Sequence, residues 1–304
     1  MLAFALRRLG IALCVAITVS IISFMLLNLS GDLATAIAGP EATAEQIEQI
    51  RQQFGLDQPL FIQYFHWLWG ALHLDFGNSY YFQETVISMI TKRLPVTMTL
   101  GGFALLFALL TAIPLGVLAA IHRNTWIDRV SLVIALFGQA MPSFWFALTL
   151  VVIFSITLRW LPASGSSTWK HFILPTIALG YYAMPAIMRL TRSGMLDVLS
   201  ADYIRTARAK GLHTRTVLFK HALRNAIIPV VSLSAVQLGF MLGGSIVIET
   251  VFSLKGLGHL AWESISRNDF PVVQAVVLIL AVFYIVLTLL ADILNAYLDP
   301  RMRT

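Results

Sequence analysis

Six stretches without a single Asp, Glu, Lys or Arg govern what this chain can become. They are Leu9–Gly31 (23 residues), Leu94–His122 (29), Val130–Leu158 (29), His171–Met188 (18), Asn225–Ile248 (24) and Phe270–Ala291 (22). About 20 mostly apolar residues in a helix cross the ~30 Å hydrocarbon core of a bilayer. In hydrocarbon each backbone N–H and C=O must be bonded within its own segment, so runs this long are expected to be helices. Period-two alternation of apolar residues is absent, which argues against a membrane β-barrel. Only 12% of residues are charged, against about 25% in a soluble domain, so there is too little polar surface for an ordinary soluble enzyme. The expected fold is all-α: a polytopic membrane protein with six transmembrane helices.

The first run follows Arg7 and Arg8 and precedes Ala36-Ile37-Ala38, an arrangement reminiscent of a signal peptide. A signal h-region spans about 7–15 residues. This run is longer and is read as an uncleaved first helix, residues 1–31. With the N-terminus inside, the inner segments carry 14 Lys and Arg, including Arg301 and Arg303, and the outer segments carry seven. That asymmetry places both termini in the cytoplasm. The net charge of +6 then reflects topology, and no nucleic-acid partner is expected.

The connections are unequal. Residues 32–93 form a long outer segment in which Thr43-Ala-Glu-Gln46 reads as a capping box opening a helix to Phe54, with Gly55 as its stop. Tyr64, Phe65, Trp67, Trp69, Tyr80, Tyr81 and Phe82 follow. Aromatic residues at this density suit either the membrane interface or a docking surface for an outside partner. Residues 189–224 form the most basic segment, on the inner side, where contact with anionic lipid is expected. Within it, Asp202–Lys210 reads as a short helix of good helix formers ended by Gly211. Tyr203, Ala207 and Lys210 fall on one face, where Ala207 is expected to leave a shallow spot for a docking partner.

Catalytic signatures are missing. The sequence has no G-x-x-x-x-G-K-[ST] phosphate loop and no H-E-x-x-H pair, and its one cysteine, Cys14, cannot pair internally. No cofactor or metal site is expected. Gly243-Gly244-Ser245 with His259 suggests a membrane protease, but Gly239-x-x-x-Gly243 reads better as a helix-packing patch. No charge falls inside a span, which argues against a stand-alone channel or secondary carrier and against a membrane enzyme.

The inner loop resembles the coupling motif of ATP-binding cassette importer permeases, E-A-A-x-x-x-G followed by a later hydrophobic-Pro pair. Here Arg205, Thr206, Ala207 and Gly211 stand at those positions, with Ile228-Pro229 after them. Arg93-Leu-Pro95, Pro142-Ser-Phe-Trp145, Trp160-Leu-Pro-Ala-Ser-Gly165, Thr191-Arg192, Glu249-Thr-Val-Phe-Ser-Leu254, Gly256-Leu-Gly258 and Leu298-Asp-Pro-Arg301 extend the likeness over nearly the whole chain. They resemble the first permease subunit of the dipeptide/oligopeptide/nickel importer family. Lys255 replaces the family's usual Pro, and Thr288 a frequent Asn. The resemblance implies a type I importer permease, one transmembrane domain over 1–304 with a five-helix core over 94–304. It also implies a second homologous permease subunit, separate ATP-binding cassette ATPase subunits that hydrolyse ATP, and an extracytoplasmic substrate-binding protein. Tyr203, Arg205, Thr206, Ala207, Lys210 and Gly211 would couple to the ATPase. The implied location is the cytoplasmic membrane of a bacterium or archaeon.

Overall fold

A computed structural model describes residues 2–29, 33–39 and 42–298. Gly31, Asp32, Asp299, Pro300, Arg301 and Arg303 lie outside the described residues. Within them the chain is built of helices, with one isolated bridge between Asn78 and Thr85. Helix α1 (Leu2–Leu29) contains the first apolar run. The outer segment holds α2 (Leu33–Ala38), α3 (Ala44–Gln53) and α4 (Leu60–Leu72). The capping box forms as expected: the Thr43 side chain accepts the Gln46 N–H, Gln46 Oε1 accepts the Thr43 N–H, and Gly55 turns the chain at φ +65°.

Helix α5 runs from Val86 to Ile121, eight residues ahead of the expected start at Leu94. The uncharged run marks hydrocarbon, whereas the helix continues outward, so Lys92 and Arg93 stand on helix and not on loop. The third run is the clearest departure. Helix α6 (Trp126–Ala140) stops at Met141, whose backbone is extended (φ −96°, ψ 136°) as the following Pro142 requires. Helix α7 (Ser143–Leu150) then restarts the run and passes into a π-helical stretch, Val151–Thr157. Among the described residues five helices are therefore long and apolar enough to span a bilayer, and the third uncharged run is a broken helix.

Helix α8 (Ile173–Leu199), entered through a 3-10 turn at Trp169–Phe172, carries Arg189 and Arg192 on its inner extension instead of on the loop. Helix α9 (Asp202–Ala209), α10 (Thr214–Thr216), a second π-helical stretch (Val217–Leu223) and α11 (Arg224–Ala226) form the inner connection. Then come α12 (Ile228–Val251), α13 (Leu257–Ser266) and α14 (Phe270–Leu298).

Helices α5 and α8 make the centre. Leu100, Ala104, Ala108 and Ala112 recur every fourth residue along α5 and are fully buried. Small residues at that spacing let backbones approach closely, which supplies the packing that drives association in lipid. At Gly116 the approach is so close that an added Cβ would lie 2.7 Å from Thr191 Cβ and 2.8 Å from Met188 O. A second cluster caps the outer end, where Val86, Met89 and Ile90 meet Leu257, Leu260, Val272 and Val276. A third lies at the inner end, beneath α9. Helix α1 packs against α14, and Arg8 pairs with Asp292 at 2.9 Å.

Candidate functional site

The inner site starts from α8. Two residues, Ser200 and Ala201, separate its end from α9, so the orientation of α9 is tied to α8. Ile204 and Ala207 of α9 insert into the inner cluster with Val117, Ala120, Met195, Val217, Ala222 and Ala226. Ala207 is only 7% exposed. It is thus the inward anchor of the helix and not the shallow contact spot expected from spacing. The same periodicity fits either face, and packing chose the inner one. Tyr203, Arg205, Thr206, Lys210 and Gly211 are exposed. Tyr203 Oη accepts from Asn225 Nδ2 at 2.8 Å, Thr206 Oγ1 donates to Asp202 O at 3.0 Å, and Arg205 lies 3.3 Å from Asp202. Gly211 stops the helix at φ +74°, as expected, and an added Cβ there would meet nothing within 4 Å.

Asp128 holds this end of the molecule together. Arg192 donates from Nε and Nη2 to its two carboxylate oxygens, both at 2.7 Å, and the Asn124 N–H adds a third bond at 3.0 Å. The parallel fork is the strong arrangement for this pair. These bonds, Arg192's first, hold the Asp128 carboxyl below the usual carboxylate range. Arg192 was visible as a motif residue, but its partner, 64 positions away, was not.

A groove of about 1070 Å³ opens beside α8, α12 and the break after α6. Met141, Phe144, Tyr182, Phe240 and Tyr284 form its walls, and no charged residue lines it among the described residues. Gly239 packs under the ring of Tyr284, as a packing glycine should, whereas Gly243 and Gly244 have nothing within 4 Å of an added Cβ and form open floor. The expected packing patch is therefore half correct. The only hint of the groove in sequence was Pro142 interrupting an apolar run.

At the outer end, Glu249 is fully buried. It accepts from Thr97 Oγ1 at 2.7 Å and from the His259 N–H at 2.8 Å, and Thr97 in turn accepts the Leu257 N–H at 2.8 Å. Glu249 and Thr97 thereby each take one of the free N–H groups in the first turn of α13. An added Cβ at Gly256 would collide with this carboxyl group, and one at Gly258 would lie 2.8 Å from the Ile246 backbone, which explains the glycines of that motif. Ser245 bonds its own helix at Leu242 O (2.9 Å), and no hydrogen bond joins it to His259 among the described residues.

The described chain is an all-helical bundle with a broken span, an apolar groove and an exposed helix α9, and the solved structures it matches define its class as the type I importer permease fold. A solved structure of the MetNI methionine ABC transporter in an inward-facing conformation has this fold, with a TM-score of 0.60 at 17% identity over 70% of this chain and 97% of that one. The chain belongs to the family described as binding-protein-dependent transport system inner membrane component, matched over residues 112–304, and residues 1–101 match that family's N-terminal component. It is 42% identical over 304 residues to the glutathione transport system permease protein GsiC of Escherichia coli (strain K12), covering 100% of this chain and 99% of that protein. It is 43% identical, with the same coverage, to GsiC of Salmonella choleraesuis (strain SC-B67). The chain is accordingly a membrane-spanning permease component of an ABC importer.

Proposed function

We propose that this chain, working as one transmembrane unit over residues 1–304, forms half of the translocation pathway for a small peptide-like solute. A second homologous permease subunit supplies the other half. ABC ATPase subunits dock at the exposed side of α9, and an extracytoplasmic binding protein delivers the solute to the outer segment. Both termini are cytoplasmic, in accord with the 14:7 charge split.

One observation carries the reading. Ala178, Leu179, Tyr182 and Ala183 line the groove on the same helix that, continuing through Pro185, leads into α9. From Tyr182 to the end of α8 is roughly 25 Å at the helical rise. A displacement imposed on α9 therefore reaches the groove as a rigid-body movement of α8, the kind of transition by which packed helices switch. A groove without a charge offers a peptide no ionic anchor, which favours passage over retention. The relatives' names, which specify glutathione, support a peptide-like cargo.

The test uses the assembled transporter in a Cys14→Ser background. A cysteine replacing Thr206 should crosslink to an ATPase subunit, while cysteines replacing Ala207, which faces inward, and Ser166, on the outer side, should not. Failure of crosslinking at each of Tyr203, Arg205, Thr206 and Lys210 in an intact complex would remove α9 as the docking element.

A further inference from the structure

Helix α4 (Leu60–Leu72) contains no Asp, Glu, Lys or Arg. One of its faces is accounted for. Tyr64 and Trp67 pack on Phe24 of α1 with ring centroids 5.5 and 5.9 Å away, and Tyr64 Oη lies 2.8 Å from Ser20 Oγ. The opposite face is not. Phe61, Phe65, Trp69 and Leu72 are 64%, 62%, 68% and 71% exposed. Their i, i+4, i+8, i+11 spacing confines them to a stripe about 80° wide at roughly 100° per residue. Four large apolar side chains aligned on one helix face require a covering surface.

We infer that α4 is an interfacial helix whose Phe61–Phe65–Trp69–Leu72 stripe is immersed in the outer leaflet at the level where acyl chains meet headgroups. Depth is the first reason. The apolar span of α1 runs from Ala5 to Met25, and α4 rests on Ser20 and Phe24, within about two turns of its outer end. The surface it adjoins is the second. Ile17, Ile21, Ile22 and Met25 of α1 are exposed apolar residues on a helix long enough to span the membrane, so α4 lies beside apolar surface that the chain itself leaves uncovered. Chemistry is the third. Aromatic rings partition to the membrane interface, and α4 carries Phe61, Phe65 and Trp69 on its exposed face with His66 towards one edge. A partner that must dock and leave in every cycle is better served by a polar surface, which α3 provides with Glu45, Glu48 and Arg51. In this arrangement α4 anchors the outer segment on the bilayer and leaves α3 facing the aqueous side.

The experiment places a nitroxide at Phe65→Cys, and separately at Gln49→Cys on α3, in the Cys14→Ser transporter reconstituted in phospholipid nanodiscs. Collisions with oxygen, which concentrates in lipid, are compared with those of a water-soluble nickel chelate. The oxygen-to-nickel ratio at position 65 should exceed that at 49 by about threefold or more, without added binding protein. Equal ratios would overturn the proposal by showing a stripe open to water. So would nickel protection at 65 that arises only when binding protein is added, because the partner would then be a protein. Trp69→Cys repeats the measurement one turn along, and both sites must agree.

Discussion

The hydroxyl of Thr97 donates to Glu249 Oε1 at 2.7 Å and accepts the Leu257 N–H at 2.8 Å, so one side chain on α5 ties α12 to the first turn of α13. Thr97→Val keeps the shape of that side chain and removes both bonds. Leaving a buried group unbonded costs about 1–3 kcal/mol, and the detergent-purified protein should lose its folded form several degrees earlier on heating. Thr97→Ser retains the hydroxyl and should stay near the parent. Equal behaviour of the Val and Ser variants, read by size-exclusion after heating, would show that the network adds nothing.

The Asp128–Arg192 fork predicts a graded series. Arg192→Lys keeps the charge and loses the planar two-bond geometry, so its stability should fall between the parent and Arg192→Ala. Asp128→Asn should resemble the Ala variant. The pH dependence has a definite sign. Because the folded-state pKa of Asp128 is lowered, its contribution is present above the unfolded value, about 3.9, and is lost only as pH falls through the lower folded value. Acid unfolding of Asp128→Asn should lose this component.

Gly211 stands at φ +74°, a conformation that costs a residue with a side chain roughly 1 kcal/mol or more. Its surroundings within the chain are open. Gly211→Val should therefore insert at normal abundance but shift the end of α9 and abolish uptake. Uptake at the parental rate and abundance would dissociate this loop from coupling.

Two glycines of one helix should respond in opposite ways. Gly239→Ala drives a methyl group into the Tyr284 ring and should lower thermal stability. Gly243→Ala meets nothing and gains helix propensity of about 0.5–1 kcal/mol, so stability should hold or rise. Gly243→Leu should keep abundance while narrowing the groove, with uptake of large peptides reduced more than that of small ones. An unchanged size preference would place the pathway elsewhere.

Most of the secondary structure was legible in the chain itself. Five of the six uncharged runs fell on span-length helices, and the third on the broken α6–α7 pair, because hydrocarbon excludes charge, a constraint each residue meets alone. Thr43 with Gln46, and Lys210 before Gly211, announced a helix start and a helix end because capping is local chemistry. The Arg205–Gly211 segment was legible as a resemblance to a family's coupling motif. Helix limits were less so: Val86 and Leu199 lie outside the uncharged runs because backbone hydrogen bonding continues into water.

What only the tertiary structure decided are the matters of pairing. Ala207 turned inward because the inner cluster had room for a methyl group, although helical periodicity allowed either face. Asp128 found Arg192, and Glu249 found Thr97, across 64 and 152 positions. The groove arose because Pro142 broke one span beside α12, leaving Gly243 and Gly244 uncovered while Tyr284 closed over Gly239. Solubility in lipid and local capping are properties of a segment and its neighbours. Which polar groups satisfy one another, and where packing leaves space, depend on all the helices together, so no single stretch of sequence carries them.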